Sequence, residues 1–328
     1  MSNIFTHVNA TTVADAQAAL AKGKAQVIAG GTDLTSYIKG LVSDAVPETV
    51  VNIKTIPNMV YIKEEGGMLK IGALTTLTTV ANSSVVKGNY TVLAQAAQAA
   101  ASPELRNMGT IGGNICQKPR CIYYRNEFND FNCLRKNPSG LCYALIGVNR
   151  YHSIFGAVNG CVAVCPSDTA SALVALGASI VTNKKTWAAA DFFGWPNVAD
   201  ARREQINGLD ADEIVTEIQV PTPASGTKSA YKKFAFRKAI DFPLVSVAAV
   251  CTASGGNVTT ASIVLGGVFN NPKVSAEAQT AITGKAINDA NAGAAGDAAV
   301  TGSVALAQNK YKIQVTKAMV KRAILACA

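Results

Sequence analysis

The sequence predicts an α+β fold, and three observations carry that expectation. Strand-like and helix-like segments alternate in short units, without the long repeated strand–helix units of a doubly wound sheet. Hydrophobic residues make up 49% of the 328 residues and charged residues only 16%, too apolar for a disordered chain and enough to bury a sizeable core. The length suits two or three domains, and no apolar run approaches the roughly 20 residues that cross a bilayer.

Taken in order, residues 4–9 read as a strand, 13–22 as a helix and 25–29 as a strand broken by Gly30 and Gly31. Thr32 and Asp33 can cap the helix that follows. Strands are expected at 49–53, 59–64 and 68–71, then helices at 76–82 and 90–101. From Cys116 to about Gly160 the chain turns aromatic and polar, with no clean period, and a loop of that length needs something to hold it. Helical pattern returns at 168–177, followed by a strand at 179–182. A segment rich in Pro, Thr, Ser and Gly at 220–228 marks the domain boundary. Beyond it, 230–237 reads as strand, 244–253 as helix or strand, 258–265 as strand and 316–326 as an amphipathic helix. The stretch 288–301, rich in Ala, Gly, Asn and Asp, is expected to be a solvated loop or frayed helix.

The formal charge is +9, with thirty Lys and Arg against twenty-one Asp and Glu. The basic residues are dispersed, and only 232–238 forms a short run, so a nucleic-acid-binding role is disfavoured. With only His7 and His152, a zinc site of several imidazoles is excluded, and a Ser-His-Asp triad would rest on one of these two. Met1 to Ala10 lacks the build of a signal peptide and carries no twin Arg. Six of eight cysteines fall together: Cys116, Cys121, Cys133, Cys142, Cys161 and Cys165. Cys251 and Cys327 lie in apolar surroundings and read as buried, inert thiols. Clustered thiols in a chain large enough to fold without disulfides point to a metal or redox centre. No pair has the two-residue spacing of a zinc ribbon or ferredoxin run. On spacing alone, iron–sulfur, zinc and unliganded thiols all stay open.

Two glycine pairs carry a second signal. In Val27-Ile28-Ala29-Gly30-Gly31-Thr32-Asp33-Leu34 an apolar strand enters two glycines, then small polar residues and a helix. Such a turn can present backbone N–H groups to a pyrophosphate, although one tight turn needs no ligand. Arg106-Asn107-Met108-Gly109-Thr110-Ile111-Gly112-Gly113-Asn114 repeats the pattern. Two such turns suggest backbone closing on a diphosphate from both sides. Lys232, Lys233, Arg237 and Lys238 surround Phe234 and Phe236 and read as a solvated edge, with Lys232, Phe234 and Phe236 on one face.

In their order, several short segments resemble the flavin-binding subunit of the molybdenum hydroxylases, the xanthine dehydrogenase and aldehyde oxidoreductase family. They are Ala29 to Leu34, Ile71-Gly72-Ala73-Leu74-Thr75, Arg106-Asn107 with Thr110 to Asn114, and Pro166-Ser167-Asp168. Ile218-Gln219-Val220-Pro221, Tyr231-Lys232-Lys233-Phe234 and Leu265-Gly266-Gly267-Val268 follow. The resemblance spans nearly the whole chain. It implies a vanillyl-alcohol-oxidase-like, PCMH-type FAD-binding domain over 1–222 and a smaller α+β domain of the CO dehydrogenase flavoprotein type over 229–328. By that resemblance FAD would lie against Ile28, Ala29, Gly30, Gly31, Thr32, Asp33, Leu34 and Thr35, and against Asn107, Thr110, Ile111, Gly112, Gly113 and Asn114. Asp168 would hydrogen-bond the cofactor, with Val215 and Lys232 near its isoalloxazine and adenine regions.

Most of that family runs directly from the Gly-Gly-Asn turn into the Ser-Asp segment. The intervening cysteine segment, about 116–165, resembles the subgroup with a [4Fe–4S] cluster, of the periplasmic aldehyde oxidoreductase or 4-hydroxybenzoyl-CoA reductase type. Arg120-Cys121, Gly140-Leu141-Cys142, Asn149-Arg150-Tyr151-His152 and Cys161-Val162-Ala163 match the aldehyde oxidoreductase type better. That pattern selects Cys121, Cys133, Cys142 and Cys161 as ligands and leaves Cys116 and Cys165 as spares. The resemblance implies an oxidoreductase subunit with no catalytic acid–base pair of its own. Electrons would arrive from a molybdenum-cofactor large subunit through a [2Fe–2S] small subunit, in a heterotrimer or dimer of heterotrimers, and leave for an external acceptor. The corresponding subunit of an aromatic acyl-CoA reductase or xanthine dehydrogenase-type hydroxylase is the alternative. A stand-alone flavin reductase of the wall-precursor type has no place for the cysteines. The expected location is periplasmic, by export with a signal-bearing partner, with a cytoplasmic address as the alternative.

Overall fold

The computed structural model describes residues 5–44, 46–194 and 204–328. Three sheets organise them. β1 (Thr6–Asn9), β2 (Ala25–Ile28) and β3 (Thr49–Asn52) make a parallel sheet in the order β1-β3-β2. Ile4, expected to open the first strand, lies outside the described residues. The crossover from β1 to β2 is the helix Val13–Ala21. Thr12 and Asp15 fix its start as a reciprocal capping box, each satisfying an N–H that the first turn leaves open.

β4 (Ile62–Glu65), β5 (Met68–Gly72), β6 (Ser179–Thr182), β7 (Thr186–Ala188) and β8 (Val215–Pro221) form an antiparallel sheet in the order β4-β5-β8-β6-β7. Leu69, Ile71, Ile180, Ile218 and Val220 are fully buried in its core. The helices Leu77–Asn82, Thr91–Ala99 and Asp168–Ala175 supply apolar side chains to the same cluster.

β9 (Thr227–Phe234), β10 (Val245–Ser254), β11 (Asn257–Gly266) and β12 (Lys273–Val274) form a second antiparallel sheet, ordered β12-β11-β10-β9. Its two faces bury different partners, which explains the unbroken apolar run of β10. Val245, Val247, Ala249 and Cys251 pack with Met319, Val320, Ala323 and Ile324 of the helix Tyr311–Leu325, whereas Tyr231, Ala248 and Val264 join the first core. Cys251 and Cys327 are buried in this second core.

The sequence expectations differ from the structure in several places. The Pro/Gly-rich segment 220–228 is not a free linker: β8 runs to Pro221 and β9 begins at Thr227. The stretch 288–301 holds an ordered helix, Asp289–Ala298, capped by Asn288 and with Ala292 and Ala295 fully buried. Its small residues allow close helix packing, since a Cβ on Gly296 would stand 2.5 Å from the Lys317 carbonyl oxygen. Helices Ser84–Asn89 and Pro103–Met108, not expected, each start at a serine cap. Lastly, Gly112 and Gly113 lie in a short helix, Ile111–Ile115, rather than in an open turn. From 116 to 165 the backbone is irregular, with only the 3-10 turns Glu127–Asn129 and Tyr143–Leu145.

Candidate functional site

A cleft of about 700 Å³ opens where the carboxyl end of β2 meets the start of the helix Ile111–Ile115, within the roughly 300–1,000 Å³ typical of ligand pockets. On one wall, Ile28 leads into Ala29, Gly30, Gly31, Thr32 and Asp33 before the helix Leu34–Lys39. Gly31 has φ +72°, a conformation that costs a side-chain-bearing residue about 1–2 kcal/mol. Gly30 is required for another reason: an added Cβ would fall on the Met108 carbonyl oxygen of the opposite wall. Among the described residues, no acceptor in the protein meets the N–H groups of Gly30, Gly31, Thr32 or Asp33. These donors are available to an anion in the cleft.

The opposite wall differs. Thr110 caps its helix by accepting the Gly113 N–H at 3.1 Å, and the Gly112 N–H donates to the Ala73 carbonyl at 3.0 Å. The second glycine pair therefore gives close backbone approach, but its N–H groups already have partners. Asn114 Oδ1 accepts from Ser167 Oγ at 2.6 Å and Thr169 Oγ1 at 2.7 Å, which ties this wall to the helix Asp168–Ala175.

Asp168 is buried at the cleft, accepting from Tyr231 at 2.5 Å and Lys233 Nζ at 3.0 Å. Burial raises its pKa, against the pull of Lys233 and Tyr231. Alternation along β9 brings Tyr231 and Lys233 to this face, whereas Lys232, opposite Val247 in the strand register, lies on the other. Lys233 rather than Lys232 is the lysine that pairs with Asp168; neither lines the cleft, whose basic residues are Lys118, Arg120 and Lys136. Val215 lines the cleft with Ile28 to Leu34, Thr110, Gly112, Gly113, Asn114 and Asp168. Three further expected residues lie outside it. Thr35 sits behind Gly31, Asn107 Oδ1 accepts from Thr78 on the exterior at 2.6 Å, and Ile111 is fully buried in the core.

The cysteine segment folds beside the first wall. Cys121, Cys133, Cys142 and Cys161 line one common pocket, with Tyr124, Arg135 and His152. Cys116 lines the cleft instead, and Cys165 is buried in the main core. Among the described residues, no group of three or more His, Cys, Asp or Glu is gathered tightly enough to hold a metal ion; the four thiols share a pocket without meeting at a point. Burial pushes the Cys121 thiol up to about 12 and the Cys161 thiol up to about 11, and raises Cys133. His152 is lowered to about 4 by burial and by the nearby Lys312, which leaves a neutral imidazole.

Cleft and pocket are joined through Asp33. Its carboxylate accepts from the Lys118 N–H at 2.9 Å and from Arg120 and Arg125, each at 2.6 Å. These donors bracket Cys121 in sequence. Burial alone would raise Asp33, but the two guanidinium groups and the N–H hold it below its ordinary value. Glu204 makes a second clamp, accepting from Tyr37, Ser43, Lys118 and Tyr124. From the other side, Lys312 Nζ donates to the carbonyls of His152 at 2.9 Å and Gly267 at 2.5 Å, and Asn309 Nδ2 donates to those of His152 and Ser153. Sequence reasoning did not find Glu204, Arg135 or Lys312, because each acts across a long separation that no local pattern marks.

A glycine-walled cleft on this fold, with the ordered segments named above, defines a flavoprotein class. The profile of the FAD binding domain in molybdopterin dehydrogenase matches residues 3–223, and that of the CO dehydrogenase flavoprotein C-terminal domain matches 229–327. The chain belongs to the family of FAD-binding subunits of molybdenum hydroxylase oxidoreductases. It is 32% identical over 277 residues to the aldehyde oxidoreductase FAD-binding subunit PaoB of Escherichia coli K12, covering 82% of each chain. It is 29% identical to the carbon monoxide dehydrogenase medium chain of Afipia carboxidovorans, over 87% of this chain and 81% of that one. Among solved structures, a chain of carbon monoxide dehydrogenase from Hydrogenophaga pseudoflava superposes with a TM-score of 0.76 at 27% identity, covering 100% of this chain and 98% of that one. Among the described residues, no helix is long and apolar enough to cross a membrane.

Proposed function

We propose that this chain is the FAD- and [4Fe–4S]-carrying electron-transfer subunit of a molybdenum-dependent aldehyde oxidoreductase. Its two domains are 1–222 and 229–328. Substrate is oxidised in a molybdenum-cofactor large subunit, a [2Fe–2S] small subunit passes electrons on, and an external acceptor receives them from this chain. The complex reaches the periplasm on a partner's export signal. The likeness to the aldehyde oxidoreductase subunit favours this over the acyl-CoA reductase alternative.

FAD supplies, when bound, the exchange between one-electron arrival and two-electron delivery. The chain's own residues bind and orient it. The open N–H groups from Gly30 to Asp33 suit its pyrophosphate, Gly112 and Gly113 let backbone close on it, and Asp168 accepts a hydrogen bond while Tyr231 and Lys233 fix its carboxylate. The cluster ligands are Cys121, Cys133, Cys142 and Cys161. One observation carries that assignment: the four thiols the family pattern selects line the same pocket, and neither spare thiol does. Ligands standing apart around a pocket suit a polynuclear cluster better than one zinc ion, whose sulfur ligands converge at about 2.3 Å.

The test is an absorption spectrum of the purified chain with iron, zinc and acid-labile sulfide analysis. Flavin bands over a broad iron–sulfur absorption are expected. Flavin bands alone, or zinc in place of iron, would remove the electron-relay role of the thiol pocket.

A further inference from the structure

The thiol pocket contains two nitrogen-bearing side chains beyond its four ligands. His152 is buried, with Nε2 at 3.2 Å from Cys121 Sγ. Its Nδ1 is buried and meets no hydrogen-bond partner among the described residues. A ligating thiolate can only accept, so beside it the Nε2–H tautomer donates to the Cys121 sulfur. The ring is held from behind. The His152 N–H donates to the Asn149 carbonyl at 3.0 Å, and its own carbonyl accepts from Asn309 and Lys312.

Arg135 is among the most completely buried large side chains of the protein. Its Nη2 donates to the Val158 carbonyl at 3.3 Å, and the guanidinium stands within hydrogen-bonding reach of Cys161. A guanidinium stays charged in any protein site, so its N–H groups are charge-assisted donors toward the Cys161 sulfur.

We propose that His152 and Arg135 are positioning residues that set the reduction potential of the cluster through N–H···S donation to Cys121 and Cys161. The inference rests on the [4Fe–4S] assignment above. Reduction adds negative charge to the iron and sulfur atoms. Donors and a fixed positive charge beside the thiolates favour that more negative state and raise the potential. Neither residue is needed as a ligand.

The experiment is an EPR-monitored potentiometric titration of the full flavin-loaded chain, with iron and sulfide measured on each sample. Arg135→Gln and His152→Leu are expected to keep wild-type iron and shift the midpoint to more negative potential. The Arg135→Gln shift should be larger, because charge and donor are both lost. Arg135→Lys and His152→Gln, which keep the charge or a donor, should shift less. If Arg135→Gln does not accumulate, the two His152 variants decide the matter. Unchanged midpoints in iron-replete variants overturn the proposal. Iron loss in His152→Gln also overturns it, since His152 would then be a ligand. A wild-type chain without iron and sulfide fails differently, by removing the cluster assignment itself.

Discussion

Around the cleft, Gly30 and Gly112 sit where regular elements end or begin, and protein backbone crowds each from across the site. Around the thiol pocket, regular structure is nearly absent, and the backbone is held by side chains from distant parts of the chain. Asp33 and Glu204 clamp one side; Asn309 and Lys312 clamp the other. The contrast separates two ways of building a site. In the cleft, local backbone geometry makes the shape, so the loss of one side chain is absorbed. In the pocket, charge-assisted contacts replace secondary structure, so removing one anchor frees a whole segment.

The largest test of this contrast is replacement of the thiols. Serine at Cys121, Cys133, Cys142 or Cys161 is expected to abolish iron binding, while Cys116→Ser and Cys165→Ser retain it, as read by iron and sulfide analysis. Iron loss at Cys165 with retention at Cys161 would shift the ligand set by one position.

Glycine variants sharpen the other side. Gly30→Val forces a side chain into the Met108 carbonyl and should destabilise the chain by about 3 kcal/mol, seen as a lower urea midpoint. Gly112 is a poor probe of ligand contact, because its Cβ would already stand 2.9 Å from the Ala73 carbonyl oxygen. Gly113 separates fold from ligand: its Cβ would meet only Thr110 Oγ1, at 3.0 Å, and alanine favours a helix over glycine by about 1 kcal/mol. Gly113→Ala should keep the urea midpoint and lose flavin. Full flavin content in that variant would show that the cofactor does not approach this backbone.

The clamp predicts a pH effect. Asp33 and Glu204 are partly buried, which raises both carboxyls. Arg120, Arg125 and the Lys118 N–H outweigh burial at Asp33; Lys118, Tyr37 and Ser43 do so at Glu204. A carboxyl lowered in the folded state stabilises the fold above its unfolded pKa of about 4, and that contribution vanishes as pH falls through the folded value. Asp33→Asn should cost about 2 kcal/mol near neutrality, less than breaking a fully buried pair. Its deficit against wild type should shrink in urea titrations below pH about 4. The smallest effect is expected at Lys232→Ala, which should leave flavin content unchanged by absorbance.

Much of this architecture is legible in the sequence, and the exceptions have physical causes. Strands such as Ala25–Ile28 and Ser179–Thr182 follow from apolar runs bounded by turn residues. The helix Asp289–Ala298 is hidden because small residues score as weakly hydrophobic, although their smallness is what lets Gly296 approach Lys317. The helix at Gly112 is masked by two poor helix formers, yet Thr110 and its bond to Gly113 are an ordinary cap. The pairing of Lys233 with Asp168 follows from strand alternation once Asp168 is known to face that side. The Asp33 bonds to Arg120 and Arg125 span separations of 87 and 92 residues, and no periodicity marks such pairs.

Asn309 and Lys312 have a bearing on the timing of biosynthesis. A ribosome releases the cysteine segment well before it releases the helix Tyr311–Leu325, and chains fold from the amino end as they emerge. Until Lys312 arrives, the carbonyls of His152 and Gly267 lack the donor that secures them. The thiols are encoded between residues 121 and 161, but their pocket closes only after residues 309–312 have emerged, so the enclosed site matures well after its own cysteines are made.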